Sequence, residues 1–278
     1  MWQLLIIFYF IFGSANYLLR RVLAQKFGEY NRLINAIFFP LFLLPATIVL
    51  YFFFPHNLHV GTLNVVLLVG GSLIWPLNNI LAFHANRKVD VGIFTIINNL
   101  SPLFTLVIAL PLLHESMKGP QLIGAALLIV SGILAASSQG TIRTLTTSRG
   151  ILICLASAAV LGVAIAYERF MLSRVDFGAY LVYGWGAQIV WALWLARHEL
   201  KKLPWLFQKA VGARRTVLWW GGTSVFKSIT FILALKTSTA SIISVASNFL
   251  SVAVVIAAYV FLREREHMGY KLGPSPSA

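Results

Sequence analysis

Nine stretches of this chain run apolar for about twenty residues with scarcely a charge, and this limits the fold more than any other feature. They lie near 2–19, 33–54, 62–83, 91–113, 120–138, 149–168, 178–196, 216–235 and 239–262. A helix needs about 20 apolar residues to cross the hydrocarbon core of a bilayer. In lipid, every backbone N–H and C=O must be paired within the segment or within a closed barrel. The blocks are too long and too continuous for barrel strands, so the sequence predicts an all-α, polytopic membrane bundle of nine transmembrane helices. Composition agrees: 59% of the 278 residues are hydrophobic and 11% charged, with mean hydropathy +0.82. A soluble domain carries about 25% charged residues. The first block does not read as a cleaved signal peptide, because no basic residue precedes it and Arg20-Arg21 follow it.

The net charge of +14 raises the question of nucleic acid. The positive-inside rule explains it better. Seventeen basic residues fall in the connections between blocks 1–2, 3–4, 5–6 and 7–8 and in the C-terminal tail. Four, namely Lys118, Arg169, Arg174 and Lys236, fall on the other side. That bias predicts a multi-pass cell-membrane protein with its N-terminus outside and its C-terminal tail in the cytoplasm. The connections are short, and the longest, about 197–215, is basic. Cys154 stands alone inside a block and reads as packing.

Shifted by 149 residues, the chain matches itself without a gap. Gly13 meets Gly162, Arg20 meets Arg169, Pro55 meets Pro204, Asn99 meets Asn248 and Glu115 meets Glu264. Ala15, Leu23, Ala85, Ile93, Leu113 and Gly124 meet their own kind, and Arg87 meets Lys236. Matches of Glu, Asn and Arg in one register carry the weight, because these residues are rare in membrane segments. An odd number of helices per repeat makes the second copy enter from the opposite side. Secondary transporters built this way hold substrate near the midplane between the halves. The first repeat is expected over 1–139, with five helices, and the second over 149–273, with four. The partner of 125–139 would begin at Pro274, where the chain reads PSPSA. Two prolines in five residues cannot make that helix.

The stretch Leu113-His114-Glu115-Ser116-Met117 with Gln121-Leu122-Ile123-Gly124 resembles the helix-4 to helix-5 junction of EamA-type carriers of the drug/metabolite transporter superfamily. Leu262-Arg263-Glu264-Arg265-Glu266 with Leu272-Gly273 resembles the second copy of it, and Leu233-Ala234-Leu235-Lys236 the turn before helix 9. The resemblance covers nearly the whole chain. It implies ten helices in two inverted five-helix repeats, with a central cavity lined mainly by helices 3, 4, 8 and 9. Here the tenth helix is missing. Family members commonly keep both termini in the cytoplasm, whereas the charge bias puts this N-terminus outside.

Lys227 lies near the middle of block 8. A lysine at the centre of a membrane helix costs at least ~2.5–3.5 kcal/mol on insertion scales. It is read as a site for an anionic group or as a proton-linked switch, against a lysine that snorkels to the interface. Its mate at the 149-residue offset is Asn78, which gives one polar residue at matching depth in each half. Asn98, Asn99 and Asn248 are candidate cavity donors and acceptors, with interhelical hydrogen bonding as the alternative. Trp75 is a candidate to stack on substrate, with packing as the alternative. Pro76 and Pro102 are expected to bend their helices. Glu168, at the end of block 6, reads as an interfacial anchor, with a coupling proton as the alternative. Gln188 reads as helix packing. Glu115 and Glu264 read as junction anchors. The histidines lack metal-ligand spacing, and there is no phosphate loop or nucleophile elbow.

These readings describe a secondary carrier that moves a small polar or amphipathic metabolite, anionic or zwitterionic by preference, through alternating access. Two other readings stand beside it. One is a truncated, inactive or regulatory transporter paralogue; the other is a membrane-embedded, lipid-modifying enzyme, for which the eight acids are too scattered. No catalytic residue, cofactor or metal is expected. The expected partners are a small-molecule substrate and the lipid bilayer, with a homodimer as a further option and no nucleic acid.

Overall fold

The computed structural model describes residues 2–27, 31–54, 57–89, 94, 97–113, 119, 123–124, 126–127, 149–247, 249–250 and 254. Its elements are all helical. In chain order they are α1 (Trp2–Phe27), α2 (Asn31–Phe53), α3 (Thr62–Gly71), α4 (Ile74–Lys88) and α5 (Ser101–Leu113). There follow α6 (Arg149–Leu172), the short α7 (Phe177–Ala179), a π-helical segment (Tyr180–Trp185), α8 (Gly186–Leu195), α9 (Leu203–Val211), α10 (Arg214–Thr237) and α11 (Ala240–Ser247). Among the described residues, four helical spans are long and apolar enough to cross a membrane: α1, α3 with α4, α6 and α10. A fifth is reached if the helical run Phe177–Leu195 is counted with its bent continuation.

The surface of these helices is what a lipid solvent selects. On α1, Ile6, Tyr9, Gly13, Asn16, Tyr17, Arg20, Leu23, Ala24 and Phe27 are buried, a stripe with steps of three and four residues. Its opposite face carries Leu4, Ile7, Phe8 and Ile11, all exposed. Phe52 and Phe53 on α2 and Leu218 and Trp219 on α10 are likewise exposed. In water such continuous outward apolar surface would be a liability; against acyl chains it costs nothing.

The long helices pair across the chain. α1 lies along α10, and α4 lies along α6. α5 packs on α6, α11 packs on both α1 and α5, and α2 packs on α8. The α1–α10 seam is zipped by Asn16, whose Nδ2 donates to Ser224 Oγ at 2.6 Å and to the Trp220 carbonyl at 3.2 Å. The α5–α6 seam closes at Gly162. A Cβ there would lie 2.6 Å from the Ser101 carbonyl oxygen and 2.8 Å from the Thr105 nitrogen, so only glycine permits this approach. Thr105 Oγ1 donates to the Gly162 carbonyl at 3.2 Å.

Block 62–83 is one span with a break in it. The helix stops at Gly71 and restarts at Ile74. Pro76, in the first turn of α4, has no N–H to give the carbonyl one turn back, as the sequence leads one to expect. Side chains from other helices take up carbonyls beside the break. Tyr167 Oη donates to Leu67 O at 2.8 Å, and Trp191 Nε1 donates to Val69 O at 2.6 Å. Block 91–113 is interrupted too: Asn99 and Leu100 form a turn, and α5 starts at Ser101. Pro102 is therefore near the helix start, where its missing N–H is tolerated.

Three expectations need correction or restriction. The basic connection 197–215 is not a plain loop. It holds a 3₁₀ turn (Leu200–Lys202) and α9, which lies at 86° to the preceding helical run. Leu206 of α9 is buried in the cluster formed by Leu23, Phe27, Leu33 and Trp220, while Phe207 and Val211 are exposed. Arg20, taken from the sequence as a basic residue after the first block, lies inside α1 and is 5% exposed. α1 continues because Val22, Leu23 and Ala24 carry the apolar pattern past the arginine pair. Finally, Glu115, Glu264 and most of block 120–138 lie outside the described residues.

Candidate functional site

One cavity opens in the middle of the bundle, walled by α1, α4, the turn before α5, α6, the π segment with α8, α10 and α11. It encloses about 1030 Å³ counting its mouth, of which about 80 Å³ admits the centre of a water molecule. Space open to water centres over that volume takes several waters or a small solute.

Lys227 lines this cavity. It is the fourteenth residue of α10, which spans Arg214–Thr237, so at ~1.5 Å per residue it lies roughly 15–20 Å from either end of the helix. Snorkelling over that distance is out of reach. Its Nζ lies 5.5 Å from the centroid of the Tyr17 ring. A cation–π contact is worth ~0.5–2 kcal/mol, which offsets part of the ~2.5–3.5 kcal/mol insertion cost. Among the described residues no carboxylate pairs with it, and Arg20 lines the same cavity.

The other candidates converge on the same space. Asn78, Asn98, Asn99 and Trp75 all line the cavity. Asn78 is buried and accepts a hydrogen bond from Ser157 Oγ at 3.1 Å, which ties α4 to α6. Asn98 Nδ2 donates to Tyr17 Oη at 3.4 Å, while its Oδ1 is buried without a partner. Asn248 lies outside the described residues.

Glu168 is not an interfacial anchor. It is 1% exposed and lines the cavity. α6 continues to Leu172, so the acid sits a turn inside the helix rather than at its end. Tyr180 Oη donates to its Oε1 at 2.5 Å, and its Oε2 has no hydrogen-bond partner. The Trp75 indole acts on the same carboxylate without hydrogen-bond geometry, and its Nε1 is also unpartnered. Gln188, read as packing, is buried and lines the cavity as well.

Sequence reasoning missed Arg20. Its Nη2 donates to Asn79 Oδ1 at 3.2 Å, its Cζ stands 5.7 Å from the Tyr17 ring centroid and 5.4 Å from that of Phe83, and its Nε is unpartnered. The available signal was the apolar run that resumes two residues later. The site thus collects buried polar atoms without partners: Arg20 Nε, Trp75 Nε1, Asn98 Oδ1, Glu168 Oε2 and Trp220 Nε1. Each costs about 1–3 kcal/mol while unsatisfied. Among the described residues no group of three or more His, Cys, Asp or Glu is arranged to hold a metal ion. The arrangement brings Arg20, Lys227, Glu168 and several amides to one cavity among helices long and apolar enough to cross a membrane. No family model matches the chain, and no curated protein matches it.

Proposed function

We propose that this protein is a secondary carrier of the drug/metabolite transporter type, which moves a small polar or amphipathic metabolite bearing an acidic group by alternating access. The observation that carries the reading is an unpaired lysine at mid-helix depth, Lys227, facing a central cavity in a bundle whose helices suit a membrane. A lysine in that position is costly, and an anionic group of the solute would compensate it.

An inverted-repeat architecture is part of the proposal, and several features support it. Cavity residues recur at the 149-residue offset: Trp75 and Ser224, Asn78 and Lys227, Asn79 and Ser228, Asn98 and Ser247. The packing partners recur too. α1 with α10 and α6 with α4 are equivalent pairs under that shift. Gly162 is closed on by Ser101, and Gly13 by Leu250, which is Ser101 moved by 149. On this reading two helix pairs, α1 with α10 and α4 with α6, each drawn from both repeats, rock against each other about the cavity.

The test is a solute screen in proteoliposomes followed by Lys227→Met. The variant keeps length and apolar bulk and removes charge and donors. Insertion and folding are expected to be normal and uptake of the acidic substrate lost. Uptake equal to the parent's would make the lysine structural and remove the basis of the proposal.

A further inference from the structure

We infer that Arg20 and Lys227 form a two-cation clamp around the Tyr17 ring, and that the clamp takes a compact, doubly charged oxyanion, the headgroup of a phosphate monoester. This rests on the carrier reading and names its substrate class.

The geometry comes first. Both cations are read against one ring: Arg20 Cζ is 5.7 Å and Lys227 Nζ 5.5 Å from the Tyr17 centroid. Both line the same cavity. Two like charges placed about one ring inside a membrane bundle repel each other. Tyr17 is neutral, so its ring face offsets only part of that cost.

The donor count comes second. Arg20 is 5% exposed, and only its Nη2 is engaged by a side-chain acceptor, Asn79 Oδ1. Its Nε is buried and unpartnered. A guanidinium pairs readily with planar or tetrahedral oxyanions, and Arg20 lines the cavity. Lys227, a point charge with three donors and no acceptor among the described residues, completes the clamp. Neutral donors are at hand in Ser228 and Asn78. A lone carboxylate would neutralise one of the two cations and leave the other bare. A compact dianion neutralises both.

The experiment uses the full chain, purified in a neutral detergent, with three probes measured by calorimetric titration. Methyl phosphate supplies the dianion, dimethyl phosphate the same group with one charge, and acetate a small carboxylate. The parent is expected to bind methyl phosphate at least tenfold more tightly than the other two. Arg20→Gln and Lys227→Met are each expected to weaken methyl phosphate by roughly tenfold to a hundredfold, the worth of one charge-assisted contact, and to erase its advantage over dimethyl phosphate. Arg20→Lys, which keeps a cation at that depth, is expected to retain the advantage and guards against a folding defect in the glutamine variant. If acetate or dimethyl phosphate binds the parent as well as methyl phosphate does, and only Lys227→Met weakens it, the clamp is wrong while the carrier reading survives. Parent-like binding by Arg20→Gln also removes the clamp. If none of the probes binds the parent, the anion site itself fails and the carrier reading loses its support.

Discussion

Gly162→Ala puts the tightest helix contact beside the cavity to the test. A Cβ on Gly162 would sit 2.6 Å from the Ser101 carbonyl oxygen and 2.8 Å from the Thr105 nitrogen. Both are backbone atoms of a helix and cannot turn aside. Gly13, its mate at the 149-residue offset, differs in one respect. A Cβ there would sit 2.9 Å from the Leu250 methyl carbons, at the end of a side chain that can rotate away. Either alanine gains ~0.5–1 kcal/mol of helix preference over glycine. At position 162 that gain is outweighed. Forcing α5 off α6 is an overpacking change, which costs about 1–3 kcal/mol. It also strains the Thr105 Oγ1 bond to Gly162 O and the Ser244 Oγ bond to Thr105 Oγ1, each at 3.2 Å. Interhelical bonds of this kind average ~0.6 kcal/mol. The expected result is a net loss of about 1–2 kcal/mol for Gly162→Ala, and a change within about 0.5 kcal/mol for Gly13→Ala. Unfolding by SDS in mixed micelles, followed by far-UV circular dichroism, reads both. Equal midpoints for the two variants, or a more stable Gly162→Ala, would refute the argument that backbone rather than side chain closes on Gly162.

Three further outcomes follow from the same structure. Asn16→Ala removes the donor to Ser224 and Trp220 O and is expected to loosen the α1–α10 seam by about 1 kcal/mol; an unchanged SDS midpoint would mean the bonds contribute nothing. Tyr180→Phe strips Glu168 of its hydrogen bond, leaving a buried carboxyl without a partner, and should destabilise by about 1–3 kcal/mol, whereas Glu168→Leu in the Tyr180→Phe background should recover part of that loss. A reporter fused after Ala278 is expected to be active on the cytoplasmic side, from the distribution of Lys and Arg between the connections; activity on the outer side would reverse the orientation.

Of the nine apolar blocks read from the sequence, four or five are long, apolar helices among the described residues; they were legible because lipid demands unbroken apolar length, and length can be counted. Lys227 and Asn78 were legible for the complementary reason, that a polar residue at mid-span needs a cavity or a partner. Both line the cavity. Arg20 was hidden by Arg21. Two adjacent arginines at the end of an apolar run look like a membrane-surface anchor. In the bundle they part company: Arg21 turns to carbonyls at the end of α4, and Arg20 turns inward. Glu168 was hidden in the same way by Arg169. A helix advances 100° per residue, so neighbours in sequence face different surroundings, and no composition window resolves them. α9 was hidden in a basic connection, although Leu203, Leu206, Phe207 and Ala210 repeat at helical spacing. The turn at Asn99 and Leu100 had a proline to announce a disturbance but nothing to fix its register.

The π-helical segment has a consequence for how much variation this bundle can tolerate. A π turn holds one residue more than the α turn it replaces, and here it spans Tyr180–Trp185, between the tyrosine that holds Glu168 and the tryptophan that lines the cavity. Deleting one residue from Leu181–Gly184 would let the segment relax to α-helix, and because the α turn covers the same rotation with one residue fewer, everything after it would keep its facing. Gln188 would stay in the cavity and Val190, 65% exposed, would stay on the outer surface. The segment therefore works as slack taken up within the helix. A deletion there is expected to leave the orientation of α8 unchanged, whereas a deletion inside α8 itself would turn every later residue by about 100°.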